Sequence, residues 1–273
     1  GAVVLVSSSP LDRMQRSPYM GELLRGVHVG VGEARAPLLV VPGGEFFRRP
    51  PEEVLRLPVR GLLLLGVFTD TVLARYDKLA VPVVLVDQPA PRHRVHTVTV
   101  DNLPAAREAT ERLIEMGHRR MAFVRTVQLN ARRVDPDSRE RQEGFLQAVK
   151  AAGIRARDCE VINSLPGDTS KSPALRSLVR ARRPFTAIVT ASGGLAEKVA
   201  AAARAVGRKI PADLSVVCLQ GREAGFSRFS GPRMNFEEVG RRAVALLDAP
   251  RHPTQRLRVP AEWVDAESVA PPP

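Results

Sequence analysis

Residues 98–124 read VTVDNLPAAREATERLIEMGHRRMAFV. A β-prone stretch runs into Asp101-Asn102. Leu103, Ala106, Leu113 and Met116 then fall on or near one helical face, and the pattern stops at Gly117, a residue suited to a helix C-cap. A second apolar run follows at 121–124. Strand, helix and strand in so short a span form a βαβ unit, which fixes a parallel pairing and a right-handed crossover. The same punctuation recurs along the chain. Short apolar runs occur at 3–6, 38–41, 61–65, 83–86, 121–124, 159–162, 187–190 and 215–219. They are continuous rather than alternating, as expected for parallel strands covered on both faces. Helical patterns lie between them at 22–32, 103–116, 138–152, 196–206 and 234–247. Ser17-Pro18 precedes the first, and Gly117, Gly153 and Gly207 end three of the others. A last strand is expected near 257–259, after Pro250 and Pro253. The predicted fold class is α/β, with doubly wound sheets.

A chain of 273 residues, 44% hydrophobic, exceeds one comfortable core and suits two lobes joined near 97–102. No run approaches the roughly 20 apolar residues of a membrane span. The N-terminus enters a strand directly and lacks the pattern of a secretory signal. The expectation is a cytoplasmic protein with no membrane partner. Cys159 and Cys218 sit among apolar neighbours and are read as free thiols. The net charge of +12 is carried mostly by arginine, in scattered pairs at 48–49, 119–120, 132–133, 182–183 and 241–242. No long basic run appears, and 4% aromatic residues are too few for a base-stacking platform. These arginines are read as solvated surface. Catalysis finds no support. The histidines His28, His93, His96, His118 and His252 lack metal spacing, and no Gly-x-Ser-x-Gly or CxxC motif is present. No catalytic residue, metal or cofactor is expected. His93 and His96 are read as solvated loop residues, and Asp135-Pro136-Asp137 as turn-and-cap chemistry.

Five segments occur in order. They are Asp101-Asn102 with Gly117-His118-Arg119-Arg120, Ser138-Arg-Glu-Arg141-Gln-Glu-Gly144-Phe145, and Gly207-Arg-Lys-Ile-Pro211-Ala-Asp-Leu-Ser215-Val-Val217. Gly240-Arg-Arg-Ala-Val-Ala-Leu-Leu247 and Glu267-Ser268 complete the set. Together they resemble the effector-binding domain of the lactose-repressor (LacI/GalR) family of bacterial transcription regulators, over nearly the whole chain. The resemblance implies a periplasmic-binding-protein type I fold, with two Rossmann-like lobes and three crossovers. The first lobe would be 1–99 plus 228–249, the second 100–227 plus 250–273. A small effector, a sugar or related metabolite, would bind between the lobes. A homodimer would relay closure to operator DNA through an N-terminal helix-turn-helix that this sequence does not include.

Candidate ligand groups follow from the ends of the strands, where α/β folds place ligands. Ser7 begins a serine triplet after the first strand, and Tyr19 resembles the family's aromatic at the first helix. Asp87 ends the run 83–86. Arg141 matches the family's cleft arginine, whose planar fork suits hydroxyls or a carboxylate. Asp101 is read as ordering the crossover and capping the next helix. Two departures stand out. The family's Asn-Asp after the run 187–190 is replaced by Ala191-Ser192-Gly193-Gly194. Its aspartate after the run 215–219 is replaced by Gln220 and Gly221. Ser192 and Gln220 are therefore the second lobe's remaining polar anchors. Loss of charged acceptors favours a less hydroxyl-rich ligand, such as an anion held by Arg141, or a decayed site. Gly193-Gly194 could instead bring backbone N–H groups to an anion. A periplasmic solute-binding protein of a transporter is the alternative reading.

Overall fold

A computed structural model describes all residues except 42, 44–49, 51, 128–135, 166, 181–183 and 221–227. Arg48-Arg49, Arg132-Arg133, Asp135, Arg182-Arg183 and Gly221 lie outside the described residues. In chain order the strands are β1 (Ala2–Ser7), β2 (Leu38–Val41), β3 (Val59–Leu65), β4 (Val83–Val86), β5 (His96–Val100), β6 (Met121–Thr126), β7 (Cys159–Ser164), β8 (Ala187–Thr190), β9 (Ser215–Cys218), β10 (Gly231–Arg233), β11 (Arg256–Val259) and β12 (Glu262–Val264). The helices are α1 (Leu11–Arg16), α2 (Pro18–Glu33), α3 (Glu52–Leu55), α4 (Asp70–Tyr76), α5 (Asn102–Glu115), α6 (Pro136–Ala151), α7 (Pro173–Arg180), α8 (Gly193–Ala205) and α9 (Phe236–Ala245). Each apolar run expected as a strand is one. The short helices α1, α3, α4 and α7, and strands β10 and β12, span too few residues for a pattern to be read in advance.

The chain divides into two compact units, Gly1–Val100 with Asn235–Val259, and Asp101–Met234 with Pro260–Pro273. The first holds a six-stranded sheet in the order β11-β5-β4-β3-β1-β2, parallel throughout. The expected last strand therefore does not belong to the second lobe. β11 pairs with β5, Leu257 opposite Val98. The boundary shifts because 228–234 stay with the second unit, where β10 pairs antiparallel with β12. The interior strands are sealed: Val3 to Val6, Leu62 to Leu65 and Val84 to Leu85 have no exposed surface. α2 begins at Pro18, four residues before the expected start, with Ser17 Oγ accepting from Met20 N at 3.3 Å. The proline's missing N–H costs nothing at a first helical position.

The second unit holds a parallel sheet in the order β7-β6-β8-β9. Phe123 of β6 and Phe145 of α6 are both fully buried, with ring centroids 5.5 Å apart. Cys159 and Cys218 are free thiols. Burial raises the Cys159 thiol above its ordinary range.

The shared motif residues turn out to fix the backbone. Gly117 adopts φ +103° after α5, and Arg119 donates to the Ile114 carbonyl at that helix end. Arg120 reaches Asp158 at 2.8 Å. Ser268, 1% exposed, donates to the Val216 carbonyl and accepts from Ser230 N, tying the C-terminal segment to β9. His118, also buried, places one ring nitrogen 2.9 Å from Thr186 Oγ1 and the other 2.9 Å from the Ala270 carbonyl. The reading of His93 and His96 as solvated is corrected: both are buried. His93 lies between Asp77 and Asp70, and His96 Nδ1 accepts from Gln255 N. A polar loop sequence gave no hint that these carboxylates and backbone groups converge on the two rings.

His118 carries a pH expectation. Burial lowers its pKa; the Ala270 carbonyl partly offsets this, and the Arg119 charge lowers it further. Burial lowers that of His96 as well. The folded chain therefore resists a proton that the unfolded chain accepts near pH ~6.5. Stability is fully present above that pH and is lost as pH falls toward the depressed folded value. Urea unfolding between pH 8 and 5 should show this loss, with a shallower slope in His118→Gln. An equally steep slope in the variant would remove His118 as a cause.

Candidate functional site

In both sheets the strand order reverses beside the first strand, β2-β1-β3 in one unit and β7-β6-β8 in the other. Crossovers leave that point on opposite faces, so the carboxyl ends there are not covered by a connection. In the second unit a cavity of about 280 Å³ opens at this place. Its walls are Thr126 at the end of β6, Asp137, Ser138 and Arg141 of α6, Ala191, Ser192 and Leu195 around the start of α8, and Gln220 after β9. Three of the residues singled out from sequence, Arg141, Ser192 and Gln220, thus line one cavity. Two larger hollows of the same unit, about 490 Å³ by Arg204, Arg208 and Arg228 and about 520 Å³ by Leu146, Val149 and Cys159, are lined by other residues. Position at the strand ends, not volume, marks the candidate.

Arg141 is only 4% exposed. Its Nε donates to Asn102 Oδ1 at 2.7 Å and its Nη1 to the Ala191 carbonyl at 2.6 Å. The guanidinium therefore ties α6 to the start of α5 and to the end of β8. Asn102 also donates from Nδ2 to Asp137 Oδ1 at 3.2 Å. Gly144, one turn after Arg141, lets α6 approach α5: an added Cβ would stand 2.3 Å from the Leu103 carbonyl oxygen. Ser192 occupies the N-cap position of α8 with no side-chain cap bond. Gly193 and Gly194 follow, and no acidic residue enters the first turn. Asp101 stands at the N-cap position of α5, also without a side-chain cap bond, so its expected capping role is corrected.

In the first unit, Tyr19 Oη donates to Asp87 Oδ2 at 2.6 Å, while the Tyr19 ring meets Phe236 edge-on at 4.6 Å. Asp87 directly follows β4 with φ +54°, a left-handed conformation that Asp tolerates better than most residues. Its backbone N–H donates to the Val98 carbonyl at 2.7 Å. Ser7 is fully buried, and its hydroxyl accepts from Ser9 N at 3.0 Å, which makes it a turn-forming group. Tyr19 and Asp87 are thus brought together, and Ser7 lies within the same unit.

Sequence reading missed Asn102, Asp137 and Thr126 as parts of the site. Asn102 and Asp137 were visible only as turn residues, since their meeting depends on how α5 and α6 pack. Gln88 was missed too: it clasps the Phe68 backbone, accepting from its N–H at 2.8 Å and donating to its carbonyl at 2.7 Å. Among the described residues no group of three or more His, Cys, Asp and Glu could hold a metal ion, and no helix is long and apolar enough to cross a membrane.

Residues 110–269 match the family model described as periplasmic binding protein-like domain. The chain is 30% identical over 220 residues to the HTH-type transcriptional regulator CelR of Thermobifida fusca, covering 79% of this chain and 63% of CelR. It is 26% identical over 242 residues to the HTH-type transcriptional repressor CytR of Escherichia coli K12, covering 84% of this chain and 68% of CytR. It therefore spans less than two thirds of CelR's length. A solved CelR–cellobiose complex superposes with a TM-score of 0.74 at 26% identity, over 97% of this chain and 84% of that one.

Proposed function

The chain belongs to the periplasmic binding protein-like domain family, and on that premise we propose that it is the effector-binding and dimerisation domain of a LacI-family transcriptional regulator. The observation that carries this reading is the polar cavity at the carboxyl ends of β6, β8 and β9, in a chain whose relatives are regulators. The ligand is a small polar metabolite of the sugar class, as the cellobiose complex of the CelR relative suggests. Arg141, Ser192 and Gln220 of the second unit hold it. Arg141 supplies donors, Asp137 an acceptor, and Ser192 and Gln220 either. Ser7 supports the turn rather than the ligand. Operator contact belongs to a helix-turn-helix outside these 273 residues, and the work is done as a homodimer in the cytoplasm. Regulation then follows from unequal ligand affinity for two states of the domain.

The test is thermal denaturation with a panel of mono- and disaccharides and their derivatives. A ligand at 100 times its dissociation constant stabilises by about 2.7 kcal/mol. That is a rise of several degrees for a chain of this size. Ser192→Ala, which removes a hydroxyl that makes no cap bond to α8, should reduce the shift while leaving the ligand-free midpoint near the wild-type value. Failure of the whole panel to move the midpoint at millimolar concentration would sink the effector reading.

A further inference from the structure

We propose that the ligand of the second unit's cavity carries an oxyanion, a carboxylate or phosphate, alongside hydroxyl groups. This rests on the effector-binding reading above and names the ligand class of that site.

The argument begins with a charge. Arg141 is buried, yet its two hydrogen-bond acceptors, Asn102 Oδ1 and the Ala191 carbonyl, are both neutral. The arginine ion pairs among the described residues, such as Arg60–Asp248, Arg120–Asp158 and Arg242–Glu238, lie at the surface or half-buried; Arg141 has no carboxylate within 4.0 Å among the described residues. Burying a guanidinium without a countercharge is costly, and the cost falls when an anion completes the site. The geometry leaves room for one. A guanidinium has five N–H donors, and the Nη2 pair of Arg141 meets no acceptor among the described residues. Those hydrogens are not sealed inside the protein, because Nη2 is absent from the buried atoms lacking partners while Arg141 lines the cavity.

The start of α8 borders the same cavity, with Ser192 and Leu195 in its wall. Ser192 keeps its hydroxyl out of the N-cap bond of α8, and no acidic side chain enters that helix's first turn. A Cβ added at Gly194 would meet nothing within 4 Å, so the backbone there is open to close approach. A helix start of this kind presents N–H groups and the positive end of the macrodipole. It is joined here to a buried cation with unused donors.

Asp137 bears on the other side of the balance. Its carboxylate also lines the cavity, so a bare anion filling the whole space would be repelled. Asp137 instead suits a hydroxyl donor, and Thr126 and Gln220 add neutral polar groups. The cavity of about 280 Å³ equals roughly nine waters at ~30 Å³ each, room for one small molecule. A single polyhydroxylated unit with one acidic group fits this pattern: an aldonic acid, a uronic acid or a sugar phosphate.

The experiment uses the 273-residue protein and calorimetric titration. Neutral monosaccharides such as glucose and galactose are each matched with their aldonic, uronic and 6-phosphate forms. The expected result is that an acidic member binds about tenfold or more tightly than its neutral parent, since charge-assisted hydrogen bonds exceed neutral ones. Comparing the carboxylate forms with the phosphate form identifies which oxyanion is used. Arg141→Gln should abolish the preference for the acid, bringing the affinity ratio near one, while Arg141→Lys should keep part of it. Circular dichroism and a cooperative melt establish that each variant folds; if Arg141→Gln does not fold, Arg141→Lys and the ligand pairs alone decide. Neutral sugars binding as well as or better than their acids would overturn the oxyanion and leave the effector reading intact. Absence of binding by either class would overturn both.

Discussion

Gly26→Ala should destabilise the first unit by about 3 kcal/mol or more, although alanine is the better helix former by ~1 kcal/mol. The reason is a backbone contact. A Cβ on Gly26 would lie 1.8 Å from the Glu237 carbonyl oxygen and 2.9 Å from Arg241 N, both on α9. The contact is reciprocal, since a Cβ on Gly240 would lie 2.3 Å from the Leu23 carbonyl oxygen. No rotamer change relieves an overlap between two main chains. α2 and α9 would have to move apart, opening the apolar seam that includes Leu23, Val27 and Val239, which have almost no exposed surface. Against a total stability of about 5–15 kcal/mol, this loss threatens the unit's folding. Gly21→Ala is the control on the same helix. Nothing lies within 4 Å of its added Cβ, so the propensity gain should stand alone and raise stability by up to ~1 kcal/mol. The two variants should therefore move the melting midpoint in opposite directions. Equal shifts would show that packing does not govern Gly26.

Asn102→Ala should lower stability by about 2–3 kcal/mol and weaken ligand binding at the second unit's cavity. Asn102 is 1% exposed and opens α5. Its amide accepts from Arg141 Nε and donates to Asp137, so a single truncation strips a neutral acceptor from a buried cation and a donor from a carboxylate. Hydrogen bonds to charged groups contribute ~1.5–3 kcal/mol each, against a helix-propensity gain of only ~0.5 kcal/mol. Arg141 would retain the Ala191 carbonyl alone and lose its fixed aim. Chemical denaturation gives the stability change, and titration with whichever sugar derivative binds gives the affinity change. A variant within about 0.5 kcal/mol of wild type would show that the Asn102 bridge is incidental.

Much of the fold was legible because parallel strands buried on both faces must be continuous apolar runs, and glycine marks where helices turn left-handed. Gly117, Gly153 and Gly207 all adopt positive φ where helices were expected to stop. The family motifs were legible too, but their residues serve mostly as backbone fixtures. His118 and Ser268 clamp the C-terminal segment, and Gly144 and Gly240 permit close helix crossings.

The resemblance to the lactose-repressor family marked Arg141, Ser192 and Gln220, while the sequence by itself determined the class of fold and the order of its strands along the chain. Local periodicity and turn chemistry suffice for that, since they act over a few residues. Tertiary structure alone decided that β11 joins the first sheet, because a four-residue strand has no pattern that names its partner. It alone decided that His93 and His96 are buried, and that Arg141 sits in the interior with neutral partners. Burial and charge compensation depend on which segments meet across tens of residues of intervening chain, as 39 residues separate Asn102 from Arg141 and 50 separate Arg141 from Ala191.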